Sequence, residues 1–209
     1  MKCLYVKELW QMRTNGLVYG GLAGLIMLIT GAALAALGIA DGFFLSWPVF
    51  LMAGVAPFAD LNDDFKSRWS DLVRTLPARR SDEVGAKYLI ALTILGAVSL
   101  VYIISRIPVI AAGGMDMGEL FKRLALLMSM GSFAPALPLP LAYRWGDRGL
   151  KAAYIVTMVL MGMFGGFYST DSVHDKMSGA GAAVMLGTFA ALFGLSWVIS
   201  ARCINKYDR

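Results

Sequence analysis

The sequence predicts an all-α integral membrane protein of six transmembrane helices with N and C termini cytoplasmic, plus an N-terminal interfacial helix and a cytoplasmic amphipathic helix. Three observations carry this. The 209 residues are 58% hydrophobic and only 16% charged, against about a quarter charged in ordinary soluble domains, and the mean hydropathy is +0.64. The chain offers six apolar runs near the roughly 20 residues a helix needs to cross a bilayer. Its Lys and Arg residues fall mostly on alternate connections, as cytoplasmic loops require.

The elements follow in order. "MKCLYVKELWQMR" places Tyr5, Leu9 and Met12 on one side of a helix lying at the membrane surface. The spans are read at 16–40, 43–59, 88–105, 124–142, 152–169 and 179–201, within a single transmembrane domain of residues 1–209. The runs are continuous and rich in Leu, Ala, Gly and Met, which fits helices and not the alternating strands of a barrel. The first span follows Lys2, Lys7 and Arg13 and contains "ALAALGIA". Its apolar core is longer than a signal peptide's, so it is read as a permanent span and the mature chain is expected to start at Met1.

Counting Lys and Arg sets the orientation. Residues 1–15 hold three, the 60–87 loop six, the 143–151 loop three and the tail three, fifteen in all. Arg106, Lys122, Arg123 and Lys176 make four on the other side. Both termini and the 60–87 loop are therefore expected in the cytoplasm. Cys3 and Cys203 fall on that reducing side, where a structural disulfide is not expected. The sole histidine, His174, stands in a short outer loop with Asp171 and Asp175; a zinc site normally needs three or four ligands, and no metal is expected.

The spans supply little chemistry. All 33 charged residues lie outside them or at their edges, so the buried relays of proton-coupled carriers are not expected. Neither an intramembrane hydrolase constellation nor a G-x-x-x-x-G-K-[ST] phosphate loop occurs. The chain is read as a non-enzyme, and energy for any transport must come from a partner.

Against that background "LNDDFKSRWSDLVRTLPARR", residues 61 to 80, stands out as a charged island. Phe65, Trp69, Leu72, Val73 and Leu76 recur at helical spacing and form one apolar face. Asp60 or Asn62 can cap the start, Asp63 and Asp64 suit the first turn, Arg74 the last, and Pro77 marks the stop. A second helix starts at Ser81 with Asp82 and Glu83 and continues through Lys87 and Tyr88 into the third span. Such an amphipathic segment can lie on lipid. Residues 60–87 nevertheless carry six acids against six bases, whereas lipid-seeking segments are usually net basic. Mixed charges around an aromatic ridge suit a groove on another protein.

These residues resemble a known family. "ND" in the first cytoplasmic loop, "W..L..TLPARR", "AKYL" at the next span and "PLPLAYRWGDRGLKAAYI" after the fourth span look like the small six-span permease subunits of ABC exporters, the ABC-2 type. The likeness covers the whole chain in architecture, with its motifs confined to residues 62–90 and 138–155. It implies that the loop carries a coupling helix docking a separate ATPase subunit, where ATP and Mg would bind, and that two permease subunits form one pathway. By resemblance Asp63, Asp64, Phe65, Arg68, Trp69, Leu72, Arg74, Leu76, Pro77 and Arg80 lie at or near that contact. The interfacial helix can brace it.

The second motif also has a physical reading. Pro135, Pro138 and Pro140 remove backbone donors at the inner end of the fourth span, and Gly146 supplies a turn. Arg144, Arg148 and Lys151 either fix topology or add a second contact with the ATPase. Gly16, Gly20 and Gly24 in the first span, and Gly162 and Gly166 in the fifth, allow close backbone approach. Packing within one subunit explains them as well as subunit pairing does, and the resemblance favours pairing. Met158, Met161 and Met163 suit adaptable packing or varied apolar cargo.

The expected function is the membrane-spanning half of an ATP-powered exporter in a bacterial cell membrane. Its expected partners are the ATPase, an identical or related second permease, the lipid bilayer and an amphipathic or peptide cargo, with no nucleic acid. The alternative is a non-transporting regulatory, resistance or sensor protein that docks a soluble partner through the same helix.

Overall fold

The computed structural model describes residues 3–10, 26, 29–30, 33, 46, 48–55, 61, 64, 67, 80–168 and 178–206. Among these residues four long helices carry the architecture: α1 (Arg80–Ala111), α2 (Met117–Ala136), α3 (Pro138–Tyr168) and α4 (Gly179–Lys206). Shorter helical stretches cover residues 3–10 and 48–55, the latter inside the second predicted span. Among the described residues, three helical stretches are long and apolar enough to cross a membrane: Ser81–Ala111, Met117–Thr157 and Gly179–Ile204. The second of these contains the α2–α3 joint.

Helix α1 begins where the acidic first turn of Asp82 and Glu83 predicted. It runs past the expected end at residue 105 and closes in a glycine cap. Gly113 has φ 74°, its N–H reaches Ile110 O and that of Gly114 reaches Val109 O, each at 3.0 Å. This crossed pair of bonds satisfies the last carbonyls of the helix. Helix α2 starts at Met117, seven residues ahead of the predicted span. Asp116 caps it by accepting from Gly118 N at 3.3 Å.

Both shifts have one cause, the treatment of arginine as a boundary. Arg106 stays inside α1, where its guanidinium lies 5.1 Å from the Tyr102 ring centroid and donates to Ser46 Oγ at 3.2 Å. Arg123 stays inside α2 and pairs with Glu119 one turn earlier.

The prolines end α2 at Ala136, short of the predicted residue 142, and Leu137 separates it from α3. Gly146 then breaks α3 at φ 59°, ψ −137°, a positive-φ conformation that favours glycine, at the turn the sequence suggested. A Cβ at Gly149 would collide with the carbonyl group of Leu141 across this corner. Residues 138–145 thus fold back tightly on the turn that follows them.

Two cores result. One gathers Phe50, Leu95, Tyr102, Leu126, Leu127 and Met130 between the 48–55 helix, α1 and α2. The other gathers Leu61, Val84, Tyr88, Leu139, Leu150 and Phe193 at the loop end of α1, against α3 and α4. Edge-to-face ring pairs stand in each, Phe50 with Tyr102 at 5.9 Å and Tyr88 with Phe193 at 5.0 Å.

Candidate functional site: a polar network at the loop end of the bundle

The sequence places Asp64 in the first turn of the island's helix and, by resemblance, at or near the ATPase contact. Two of the island's described residues turn in: Leu61 and Asp64 are buried, and Ser67 is exposed. Asp64 is held by two lysines. Its Oδ2 lies 2.5 Å from Lys87 Nζ and its Oδ1 2.7 Å from Lys7 Nζ. Glu8 repeats the arrangement, with Oε2 2.8 Å from Lys87 Nζ and Oε1 3.0 Å from Lys7 Nζ.

The four groups form an alternating ring in which each lysine bridges both acids and, among the described residues, each carboxylate oxygen accepts from one lysine. Within the ring two positive and two negative charges oppose one another, which offsets part of the cost of burying them, and the Glu83 side chain is buried beside them. Lys7 leaves its side chain 23% exposed and Lys87 only 1%. The ring joins three distant parts of the chain: the N-terminal helix, the loop and the base of α1.

Each placement has a local reason. Leu4 and Glu8 are one turn apart and form the buried face of the 3–10 helix, while Leu9 and Trp10 remain exposed. Tyr5 adds a hydroxyl contact with Thr93 Oγ1 of α1 at 3.0 Å. Lys87 follows Glu83 by one turn, and both are buried.

Tyr88 turns the other way around α1. Its hydroxyl lies 2.6 Å from Ser196 Oγ and 3.0 Å from Ser200 Oγ on α4. Ser196 in turn donates to the carbonyl oxygen of Ala136, the last residue of α2. In an unbroken helix that carbonyl would accept from the N–H of residue 140. Pro140 has none, and the serine supplies the missing donor.

Around the corner the chemistry is simpler. Arg144 is exposed and lies 5.4 Å over the Trp145 ring, and Lys151 pairs with Asp147 at 2.7 Å on the surface.

Of the residues singled out from sequence, the structure thus places Asp64 in the ring and Arg80 at the start of α1. Asp63, Phe65, Arg68, Trp69, Leu72, Arg74, Leu76 and Pro77 lie outside the described residues, as do Gly16, Gly20, Gly24, Asp171, His174 and Asp175. Gly166 falls within α3. Gly162 is exposed, and a Cβ there would meet nothing within 4 Å, so packing within the described chain does not explain it. Close approach occurs at Gly131, whose Cβ would stand 3.0 Å from Phe50 O. Cys3 and Cys203 are free thiols.

Sequence reasoning missed Glu8, Lys87, Tyr88, Ser196 and Ser200 as a site. The signal present was "AKYL", read only as a signature.

A membrane bundle whose loop is tied to a spanning helix fits a transport subunit. Residues 9–205 match the family model described as ABC-2 family transporter protein. The chain belongs to that family, as a multi-pass membrane permease of an ABC-type transporter, and such permeases generally pair with an ATPase subunit. No curated protein and no solved structure matches the chain.

Proposed function

We propose that this permease is the membrane half of an ATP-powered exporter and that it docks a separate ATPase through the amphipathic helix at 61–77. In this reading the chain has six spans, with both termini and the 60–87 loop in the cytoplasm. Two copies, or two related permeases, pair through the Gly-lined first and fifth spans in a bacterial cell membrane. ATP and Mg bind the partner, and the cargo is amphipathic or peptidic.

The ion ring is the observation that supports this best. Asp64 belongs to the loop, Lys87 to α1, and their 2.5 Å contact fastens the docking element to a spanning helix. A segment that only adhered to lipid would need no such attachment. The ring also changes how the loop's charge balance reads, because Asp64 and Lys87 answer each other within the chain. Asp64 then anchors the docking helix, and the Phe65, Trp69, Leu72 and Leu76 ridge makes the contact. Asp63, Arg68, Arg74, Pro77 and Arg80 border it.

A buried aromatic anchor is worth about 2 kcal/mol or more, roughly thirtyfold in affinity. The complex purified in nanodiscs should therefore lose most of its co-purifying ATPase activity on Trp69→Ala, with the permease still folded. Retention at the wild-type level would remove the ridge as the docking element.

A further inference from the structure

Lys87 and Tyr88 are neighbours in sequence, yet they serve different sides of α1. Successive residues of a helix project about 100° apart, so one faces the ion ring and the other faces α4. The hydroxyl contacts beyond Tyr88 have a definite direction. Ser196 has one proton and gives it to Ala136 O. At the 2.6 Å contact Tyr88 must then donate to Ser196, and at the 3.0 Å contact Ser200 must donate to Tyr88. The chain of donors runs Ser200 to Tyr88 to Ser196 to Ala136, and it ends on the one carbonyl that Pro140 leaves unanswered. Tyr88, Ser196 and Ser200 are all buried, so water does not readily replace a lost link.

We propose that Lys87 and Tyr88 are positioning residues that form a transmission joint. Displacement of the loop reaches Lys87 through Asp64, turns the base of α1, and is passed by Tyr88 and Ser196 to the proline-broken joint between α2 and α3. The joint is the compliant point of the bundle, since Pro138 and Pro140 lack N–H groups and Gly146 interrupts α3 eight residues after its start. Moving the Ser196 hydroxyl changes whether the end of α2 is held. The inference rests on the docking reading above for its role in transport, but the coupling itself belongs to this chain alone.

A double-variant cycle on the permease in nanodiscs tests it. Asp64→Asn loosens the ring, Ser196→Ala removes the donor to Ala136, and the two side chains do not contact each other. Residues acting separately give additive losses of melting temperature. The joint predicts a double variant that falls short of the sum by about 2 °C or more, and Ser196→Thr, which keeps a hydroxyl, should restore the single-variant value. Additive losses would overturn the joint. If Asp64→Asn fails to purify, Glu8→Gln takes its place in the same cycle with the same expectation.

Tyr88→Phe separates this idea from docking. Wild-type retention of ATPase activity with an additive cycle removes the joint and leaves docking. A non-additive cycle in a permease that retains no ATPase upholds the joint and removes the docking reading.

Discussion

At the scale of single residues, position in the sequence says little about the cost of losing a charge. Lys87 and Lys151 are both lysines on the side expected to be cytoplasmic, each with an acidic partner. Lys87 is buried between two carboxylates, and removing it leaves one uncompensated negative charge inside the protein. Such losses cost about 3–5 kcal/mol. Lys151 has a 73% exposed side chain, and an exposed i,i+4 pair is worth no more than about 0.5 kcal/mol. Lys87→Met should therefore lower the melting temperature in nanodiscs by roughly 10 °C, and Lys151→Met should barely change it. Equal effects would show that the ring is not a buried unit. The sequence displayed Lys87 as a topology charge and as part of "AKYL". It could not display the partners, which lie 23 and 79 residues away and share no periodic pattern with it.

Among elements, apolar periodicity was legible and helix ends beside arginines were not. The start of α1, the corner at Gly146 and the start of α4 at Gly179 all stand where composition and turn chemistry put them. The end of α1 and the start of α2 were misplaced because Arg106 and Arg123 looked like loop residues. The fold keeps both inside by giving each a partner one turn away, Tyr102 for the first and Glu119 for the second. The proline run was recognised as a source of lost donors, but the replacement donor comes from α4, 60 residues on. The corner gives a test. Gly149→Ala places a methyl group against the backbone of Leu141 and should cost about 1–3 kcal/mol, as overpacking does. Gly187→Ala, on an exposed face of α4, meets nothing within 4 Å and should be neutral or slightly stabilising by helix propensity. Thermal unfolding of the two variants side by side decides whether the corner is as tight as it stands.

For the whole molecule, membership of the ABC-2 transporter family accords with the resemblance carried by the loop and corner motifs. The physics behind those motifs became visible only in three dimensions. "AKYL" holds the ring and the hydroxyl chain, and "PLPLAYRWGDRGL" holds the joint they reach. The ridge of Phe65, Trp69, Leu72 and Leu76 is legible in sequence as a pattern alone.

An ATP-driven account requires the loop to occupy the compartment that holds ATP. Helix α1 has 32 residues, about 48 Å at 1.5 Å per residue, which is enough to set its two ends on opposite faces of a bilayer. The exposed residues Ser67, ahead of α1, and Ala112, just beyond it, are the positions that report on those faces in this account. The most direct measurement is maleimide labelling of intact cells expressing Ser67→Cys or Ala112→Cys, each in a background with Cys3 and Cys203 replaced by serine. The account predicts that an impermeant reagent labels position 112 from outside and reaches position 67 only after the membrane is opened. Labelling of position 67 from outside the intact cell would contradict it, because a loop on that face could not meet an ATPase.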